Sequence, residues 1–175
     1  FGVIDTPEVN AFAAPGGYVL ITRGLYELLS TDSELAAALA HEISHCVQRD
    51  HYNVIHKQEM ADTAKERALS QVTTGNDTTA GRYARRYAEE HGAAIMLTSL
   101  DRDAEYRADV GAEVYLARAG MNPLALYSLL QKLTALGSES ASLAQLYKTH
   151  PPLAARVDRI DQRGYGALEA YTARE

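Results

Sequence analysis

The sequence predicts a mainly α-helical domain with a small antiparallel β-sheet near its start, an α+β arrangement. Residues 9–22 have the composition of a β-hairpin, and apolar residues recur at helical spacing over much of the chain that follows. The chain has 175 residues, 46% of them hydrophobic, which suffices for one domain with a core of its own. We therefore expect a single domain over residues 1–175.

The predicted hairpin consists of three consecutive stretches. Residues 9–14 are compatible with an extended strand, residues 15–17 (Pro-Gly-Gly) favour a turn, and residues 18–22 are rich in β-forming side chains. We expect a short helix directly after the second strand.

The second helix has the clearest start signal. Residues 31–34 read TDSE, a capping box in which Thr31 accepts from the first amides and Glu34 reaches back. We expect this helix to run from about residue 32 to the high fifties. Its predicted apolar stripe, with Cys46 as a small core residue, consists of Leu35, Leu39, Ile43, Cys46 and Val47.

The rest of the chain is predicted to be helical with two breaks. Residues 72–81 form a Gly/Thr/Asn/Asp loop, and the wider segment 72–91 is a candidate lid by composition alone. Residues 137–142 form a polar linker. Helices are expected at about 82–97, at 101–118 with its end at Gly120, at 123–136 after Pro123, and from Leu153 onwards.

Composition narrows the classes of function. The net charge of −6 gives no electrostatic reason to expect a nucleic acid partner. No apolar run approaches the roughly 20 residues that cross a bilayer, so we expect no transmembrane segment in this chain. The chain begins at Phe1 without a signal-like segment, which indicates a processed or trimmed piece.

Residues 41–45 read HEISH, with two histidines one helical turn apart and a glutamate beside the first. Side chains four residues apart share a helix face, so both imidazoles can bind one ion. Two imidazoles suit Zn²⁺, and Glu42 is placed to take a proton from water at the metal. The alternative is a chance match on an ordinary helix face. The position of HEISH inside a capped amphipathic helix favours the zinc site.

A third ligand is needed, and two candidates compete. His41, His45 and His51 have the spacing of the metzincin pattern, but that pattern needs glycine at position 48, where this chain has Gln48. In a continuous helix, His51 lies about 9 Å further along the axis than His45 and points elsewhere. We therefore expect His51 on the surface, together with His56 and His91.

The second candidate is a carboxylate of the helix predicted at 101–118. Glu105 could bind the metal while Asp109, one turn later, accepts the other ring N–H of a zinc-binding histidine and fixes its tautomer. Two carboxylates at this spacing are otherwise typical of a solvated helix face. Combined with HEISH, Glu105 is the best third ligand in the chain.

Four separated stretches together resemble metallopeptidase family 48, in the family's order and with similar gaps over residues 9–160. This gluzincin family includes the CAAX prenyl protease, the HtpX heat-shock protease and soluble BepA-like periplasmic proteases. Family domains usually have more helix upstream of the hairpin, so some upstream helix is expected to be missing here. The stretches are NAFAAPGGYVLITRGL, LAAALAHEISHCVQRDH, DRDAEYRADVGAEVYLARAGMNP and THPPLAARVDRI.

The resemblance implies a zincin-like metalloprotease domain with one Zn²⁺ per chain. It implies His41, His45 and Glu105 as the zinc ligands and Glu42 as the catalytic base. Asp109 matches the aspartate that follows the ligand glutamate in the family's ExxxD element.

The resemblance also covers two residues near the end of the chain. His150 matches a family histidine at the active site; it could donate to the developing oxyanion, occupy the water position in a resting enzyme, or be a plain turn residue before two prolines. Arg156 matches the arginine that follows, either as a site residue or as a structural clamp on a carboxylate.

The first strand of the hairpin is the expected substrate edge. An exposed edge strand above the metal binds a peptide in extended form by adding it to the sheet. A plain structural hairpin is the alternative. The candidate residues are Asn10, Ala11, Phe12, Ala13 and Ala14.

The sequence and the resemblance together predict a zinc endopeptidase that acts on unfolded or misassembled envelope proteins in the periplasm or another extracytoplasmic compartment. One alternative is a chaperone-like binder of extended segments with latent or absent proteolysis. Another is a helical interaction domain in which HEISH is incidental.

Overall fold

The computed structural model describes residues 1–14, 16–70 and 99–163. Its elements are β1 Gly2–Ile4, β2 Ala11–Ala14, β3 Tyr18–Thr22, α1 Arg23–Leu28, α2 Asp32–Gln48, α3 Asp50–Ser70, α4 Arg102–Ala119, α5 Ala125–Ala135, a 3-10 helix Ala141–Leu143, α6 Ala144–Thr149 and α7 Leu153–Arg163. The prediction of a mainly helical chain with a small sheet is confirmed. The predicted turn residue Pro15, the loop and lid at 72–91, His91, and the helix at 82–97 lie outside the described residues.

The sheet is mixed rather than purely antiparallel. β2 and β3 form the predicted antiparallel hairpin, but β1 pairs in parallel with β3, which gives the strand order β1-β3-β2. Gly16 and Gly17 both adopt positive φ in the turn, which a side chain would resist. β1 and β2 are therefore the two edge strands, and α2 packs against the hairpin strands β2 and β3; β2, at the α2 side, is called the outer strand below.

Helix α2 begins as the capping box predicts. The Thr31 side chain accepts from the Glu34 amide at 3.1 Å, and Glu34 Oε2 accepts from the Ser30 amide at 2.6 Å. Lys132 of α5 donates to the same carboxylate at 2.7 Å, so the helix start is also tied to the neighbouring helix.

The predicted single helix from 32 to the high fifties is wrong. Arg49 adopts a left-handed conformation with φ 56° and ends α2, and α3 begins at Asp50 in a new direction. One consequence is that His51, predicted to lie on the surface, is buried.

The buried face of α2 also differs from the predicted apolar stripe. Leu35, Leu39, Ile43 and Cys46 are only half-buried, and Val47 is 63% exposed. The small side chains Ala37 and Ser44 are fully buried instead, on the face that carries the HEISH residues. Small residues let α4 approach closely: a β-carbon on Gly111 of α4 would lie 2.2 Å from Ser44 Oγ.

The later helices form the core that supports α2. Asp101 caps α4 through the Ala104 amide at 2.7 Å, and Gly120 ends it with φ 73°. The predicted helix at 123–136 is α5, and the predicted closing helix is α7. The core cluster that joins them includes Leu116, Leu126, Leu130, Leu143, Leu146, Leu153 and Ile160. None of the described helices is long and apolar enough to cross a membrane.

Candidate metal centre

Four buried side chains with metal-binding donor atoms converge beside the hairpin. One donor atom from each lies within 4.8 Å of all the others. Helix α2 supplies two of them, α4 supplies the third, and the chain directly after α6 supplies the fourth. The four residues are His41, His45, Glu105 and His150.

Helix geometry brings the first three together. His41 and His45 lie one turn apart on the face of α2 that meets α4. Helix α4 runs in the opposite direction: Asp109 contacts His41, while Glu105, one turn earlier on α4, reaches His45. The close approach of α2 and α4 therefore sets the distance between the histidines and the carboxylate.

The distances among these atoms fit a zinc site. The Nε2 atoms of His41 and His45 are 3.1 Å apart, and they lie 3.4 and 3.5 Å from oxygens of the Glu105 carboxylate. Ligands about 2.0–2.1 Å from a tetrahedral zinc lie about 3.3–3.4 Å from each other. Two imidazoles and one carboxylate are also a donor set that catalytic zinc uses.

Asp109 and Arg156 contact the donor residues from one side. Asp109 Oδ1 lies 3.0 Å from His41 Nδ1, the ring nitrogen that does not face the cluster. Arg156 donates to Asp109 through two nitrogens at 2.7 and 2.9 Å, and its Nη1 lies 3.0 Å from Glu105. Arg156 is thus a buried clamp on two carboxylates, one of the two roles that the sequence left open.

Asp50 supports His45 from the other side, and sequence reasoning missed it. Its Oδ2 lies 2.8 Å from His45 Nδ1, and Arg107 of α4 lies 3.3 Å from its other oxygen. The break at Arg49 places Asp50 there, because a continuous helix would carry it away from His45. Glycine is the usual residue in this conformation, so an arginine gives no signal of a helix end.

Burial and charge act against each other in this cluster. Burial would raise the pKa of the Glu105 carboxyl, but the His150 and Arg156 charges hold it well below its usual range. Burial likewise opposes ionisation of Asp109, but Arg156 and His41 keep its pKa at about 2. Burial lowers the pKa of His41, His45 and His150, yet the neighbouring carboxylates outweigh it and raise all three. Protons therefore compete with a metal for these nitrogens.

Glu42 lies next to the four donors without being one of them. It is buried, and its Oε2 has no hydrogen-bond partner in the part of the chain that the structure describes. Its Oε1 is 3.6 Å from His150 Nε2. A buried carboxylate oxygen without a partner calls for an explanation, and a water or substrate group in the site would supply one.

Both ring nitrogens of His150 face oxygen acceptors. Nδ1 lies 3.1 Å from Glu105, and Nε2 lies 3.4 Å from the Ala11 carbonyl. A doubly protonated ring can donate at both positions, so this side chain can either donate hydrogen bonds in the site or, once deprotonated, bind a metal.

The strand predicted as the substrate edge is the outer strand, but most of it is covered. Asn10, Ala11, Phe12 and Ala13 are buried, and only Ala14 is half-buried. The Asn10 side chain donates to Thr149, and the residue before it, Val9, donates to Ser142. The segment around residues 142–150 therefore covers the start of this strand, where the sequence predicted an exposed edge.

Comparison with known families agrees with this geometry. The model of peptidase family M48 matches residues 1–164, which include all four donor residues. The chain belongs to peptidase family M48. The family resemblance and the mainly helical fold predicted from the sequence are thereby confirmed, and membership makes the chain a metallopeptidase homologue.

Relatives in this family include bacterial and plant proteins. The chain is 30% identical over 153 residues to the Beta-barrel assembly-enhancing protease of Escherichia coli (strain K12). It is 32% identical over 194 residues to the Protease HtpX homolog of Desulfatibacillum aliphaticivorans. It is 27% identical over 149 residues to the Mitochondrial metalloendopeptidase OMA1 of Arabidopsis thaliana.

The matches cover most of this chain but only part of each relative. They span 86%, 90% and 85% of the chain and 31%, 61% and 28% of the respective relatives. The similarity to the first and third is thus confined to about a third of their length.

Proposed function

We propose that the chain is a zinc-dependent endopeptidase that hydrolyses peptide bonds in unfolded or misassembled envelope proteins. The observation that carries the proposal is the buried cluster of His41, His45 and Glu105, beside which a Glu42 carboxylate oxygen has no partner among the described residues. The name of the Beta-barrel assembly-enhancing relatives supports envelope substrates and an extracytoplasmic location.

The cluster supports a division of roles. His41, His45 and Glu105 would hold a zinc ion, whose Lewis acidity would make a water nucleophilic near neutral pH and polarise the scissile carbonyl. Glu42 takes the proton of the attacking water and returns it to the leaving amine. Asp109 and Asp50 hold the Nδ1 protons of the two histidines and so keep each Nε2 free to bind the metal.

The Glu42→Gln variant tests the proposal. We expect the cleavage rate of an unfolded casein substrate to fall about 10²–10⁴-fold, because the general base is lost. Zinc content, measured by mass spectrometry of the metal, should stay near one per chain because Glu42 is not a ligand. Glu27→Gln, the same change at an exposed position of α1, is the control and should cleave normally.

The same variant separates the alternatives. A chaperone-like binder would suppress aggregation of unfolded protein equally well with Glu42→Gln, and its wild type would not cleave. A wild-type chain that cannot be loaded with zinc would mean that HEISH is part of an ordinary helix face and binds no metal.

His150 is proposed to stabilise the oxyanion through its Nε2–H. For His150→Ala we expect kcat to fall about 10²–10³-fold with zinc content unchanged, the loss typical of a missing oxyanion donor. His56→Ala, at an exposed position of α3, is the control. Higher activity together with weaker zinc binding would contradict this role and identify His150 as a fourth ligand that holds the enzyme latent.

Asp50 is proposed as a positioning residue for His45. We expect Asp50→Ala to weaken zinc binding about 10–100-fold, because the imidazole loses the acceptor that fixes its tautomer and orientation. Competition with a chelator of known affinity measures the change. Asp103→Ala, an exposed aspartate of α4, should bind zinc like the wild type, and equal affinities in the two variants would remove Asp50 from the site.

A further inference from the structure

A cavity of about 230 Å³ lies beside the cluster of donor residues, at the turn end of the hairpin. Its walls come from the hairpin turn, the last turn of α2 and the first turn of α3. His45 belongs both to this cavity and to the donor cluster. Because an extended peptide advances about 3.3 Å per residue, a side chain in the cavity would lie one to two residues from a bond cleaved at the cluster.

The cavity contains a buried polar group without a partner. His51 lines it and is only 7% exposed, and its solvent-shielded Nδ1 has no hydrogen-bond partner among the described residues. Buried ring nitrogens are normally paired. The ring of His51 therefore has hydrogen-bonding capacity that the described residues leave unused.

Arg49 gives the cavity a positive charge. It lines the cavity and is exposed, and none of the described residues forms an ion pair with its guanidinium. It also occupies a left-handed conformation that glycine would adopt without cost. Among the described residues that line the cavity there is no aspartate or glutamate.

We propose that this cavity is a specificity subsite for an acidic side chain of the substrate. Arg49 provides the counter-charge, and His51 provides a second hydrogen-bonding group. The proposal deepens the proposed peptidase function and rests on it. Ala13 and Ala14 line the cavity, and Ala14 is the least buried residue of the outer strand.

Cleavage of a peptide library tests the subsite. The zinc-loaded chain is given proteome-derived peptides, and the cleaved bonds are mapped by mass spectrometry. We expect aspartate and glutamate to be enriched at one position within two residues of the bond. In matched peptides, glutamate at that position should raise kcat/KM about five- to tenfold over glutamine, as a charge-assisted hydrogen bond allows. Arg49→Gln should abolish this preference, and Arg49→Glu should reverse it in favour of lysine.

A binding measurement separates failure of the subsite from failure of the peptidase. Fluorescein-labelled hexapeptides of alanine and valine with a single glutamate, glutamine or lysine are titrated into zinc-loaded Glu42→Gln protein, with and without Arg49→Glu. We expect the glutamate peptide to bind best to Glu42→Gln. In the double variant we expect the lysine peptide to bind best. Arg118→Glu, the same charge change at an exposed position of α4, is the control. Absence of an acidic preference, or its survival in the Arg49→Glu background, overturns the subsite whether or not the wild type cleaves peptides.

Discussion

The Glu105→Gln variant should purify with far less than one zinc per chain. Glu105 is fully buried and lies between the two histidines, its oxygens 3.4 and 3.5 Å from their Nε2 atoms. Glutamine keeps the shape but removes the negative charge and presents an amide, which zinc sites rarely use. Since loss of an outer hydrogen-bonding partner already weakens metal affinity about 10–100-fold, we expect loss of a ligand to exceed about 100-fold.

Metal content after dialysis and chelator competition measure the effect. Glu113→Gln is a matched control, since Glu113 is also buried on α4 but pairs with Arg163 at 2.8 Å, outside the cluster. It should keep full zinc. Full zinc in Glu105→Gln would mean that a different residue is the third ligand, with His150 the next candidate.

Local signals in the sequence were sufficient for the parts of the fold that are decided locally. The Thr31 capping box and the Asp101–Gly120 pair of helix ends are decided within a few residues, and both structural predictions are confirmed. The HEISH motif is equally local, because residues four positions apart lie on the same face of a helix. Glu105 is separated from the HEISH motif by 60 positions. Only the need for a third metal ligand and the family resemblance could identify it as part of the same site.

The features that sequence reasoning missed depend on long-range packing. A left-handed arginine ends α2, and no residue near it signals a break, so His51 was predicted on the surface and Asp50 was not recognised as a partner of His45. The start of the outer strand is covered by Ser142 and Thr149, which hydrogen-bond with Val9 and Asn10 from some 130 positions away. The buried face of α2 was missed because it is built from alanines, which carry little hydrophobic signal.

The charge balance inside the cluster identifies its most sensitive structural residue. Glu105 and Asp109 are buried carboxylates on one face of α4, and burial alone would raise the pKa of both. Arg156 lies within 3.0 Å of both and is itself only 3% exposed. It therefore holds α7 to α4 and keeps two carboxylates ionised where the histidines need them.

In the zinc-free chain, Arg156→Met should lower the free energy of unfolding by about 3–5 kcal/mol, because removing one member of a buried ion pair leaves its partners charged and unpaired. Urea unfolding followed by circular dichroism measures the loss. Arg163→Met removes a half-exposed arginine from Glu113 and should cost about 1 kcal/mol or less.

A double variant tests the coupling. Arg156→Met combined with Asp109→Asn should be less destabilised than the sum of the single variants, since the second change removes a charge that the first leaves unpaired. A loss below about 1 kcal/mol for Arg156→Met, or strict additivity in the double variant, would mean that Arg156 does not hold this cluster together.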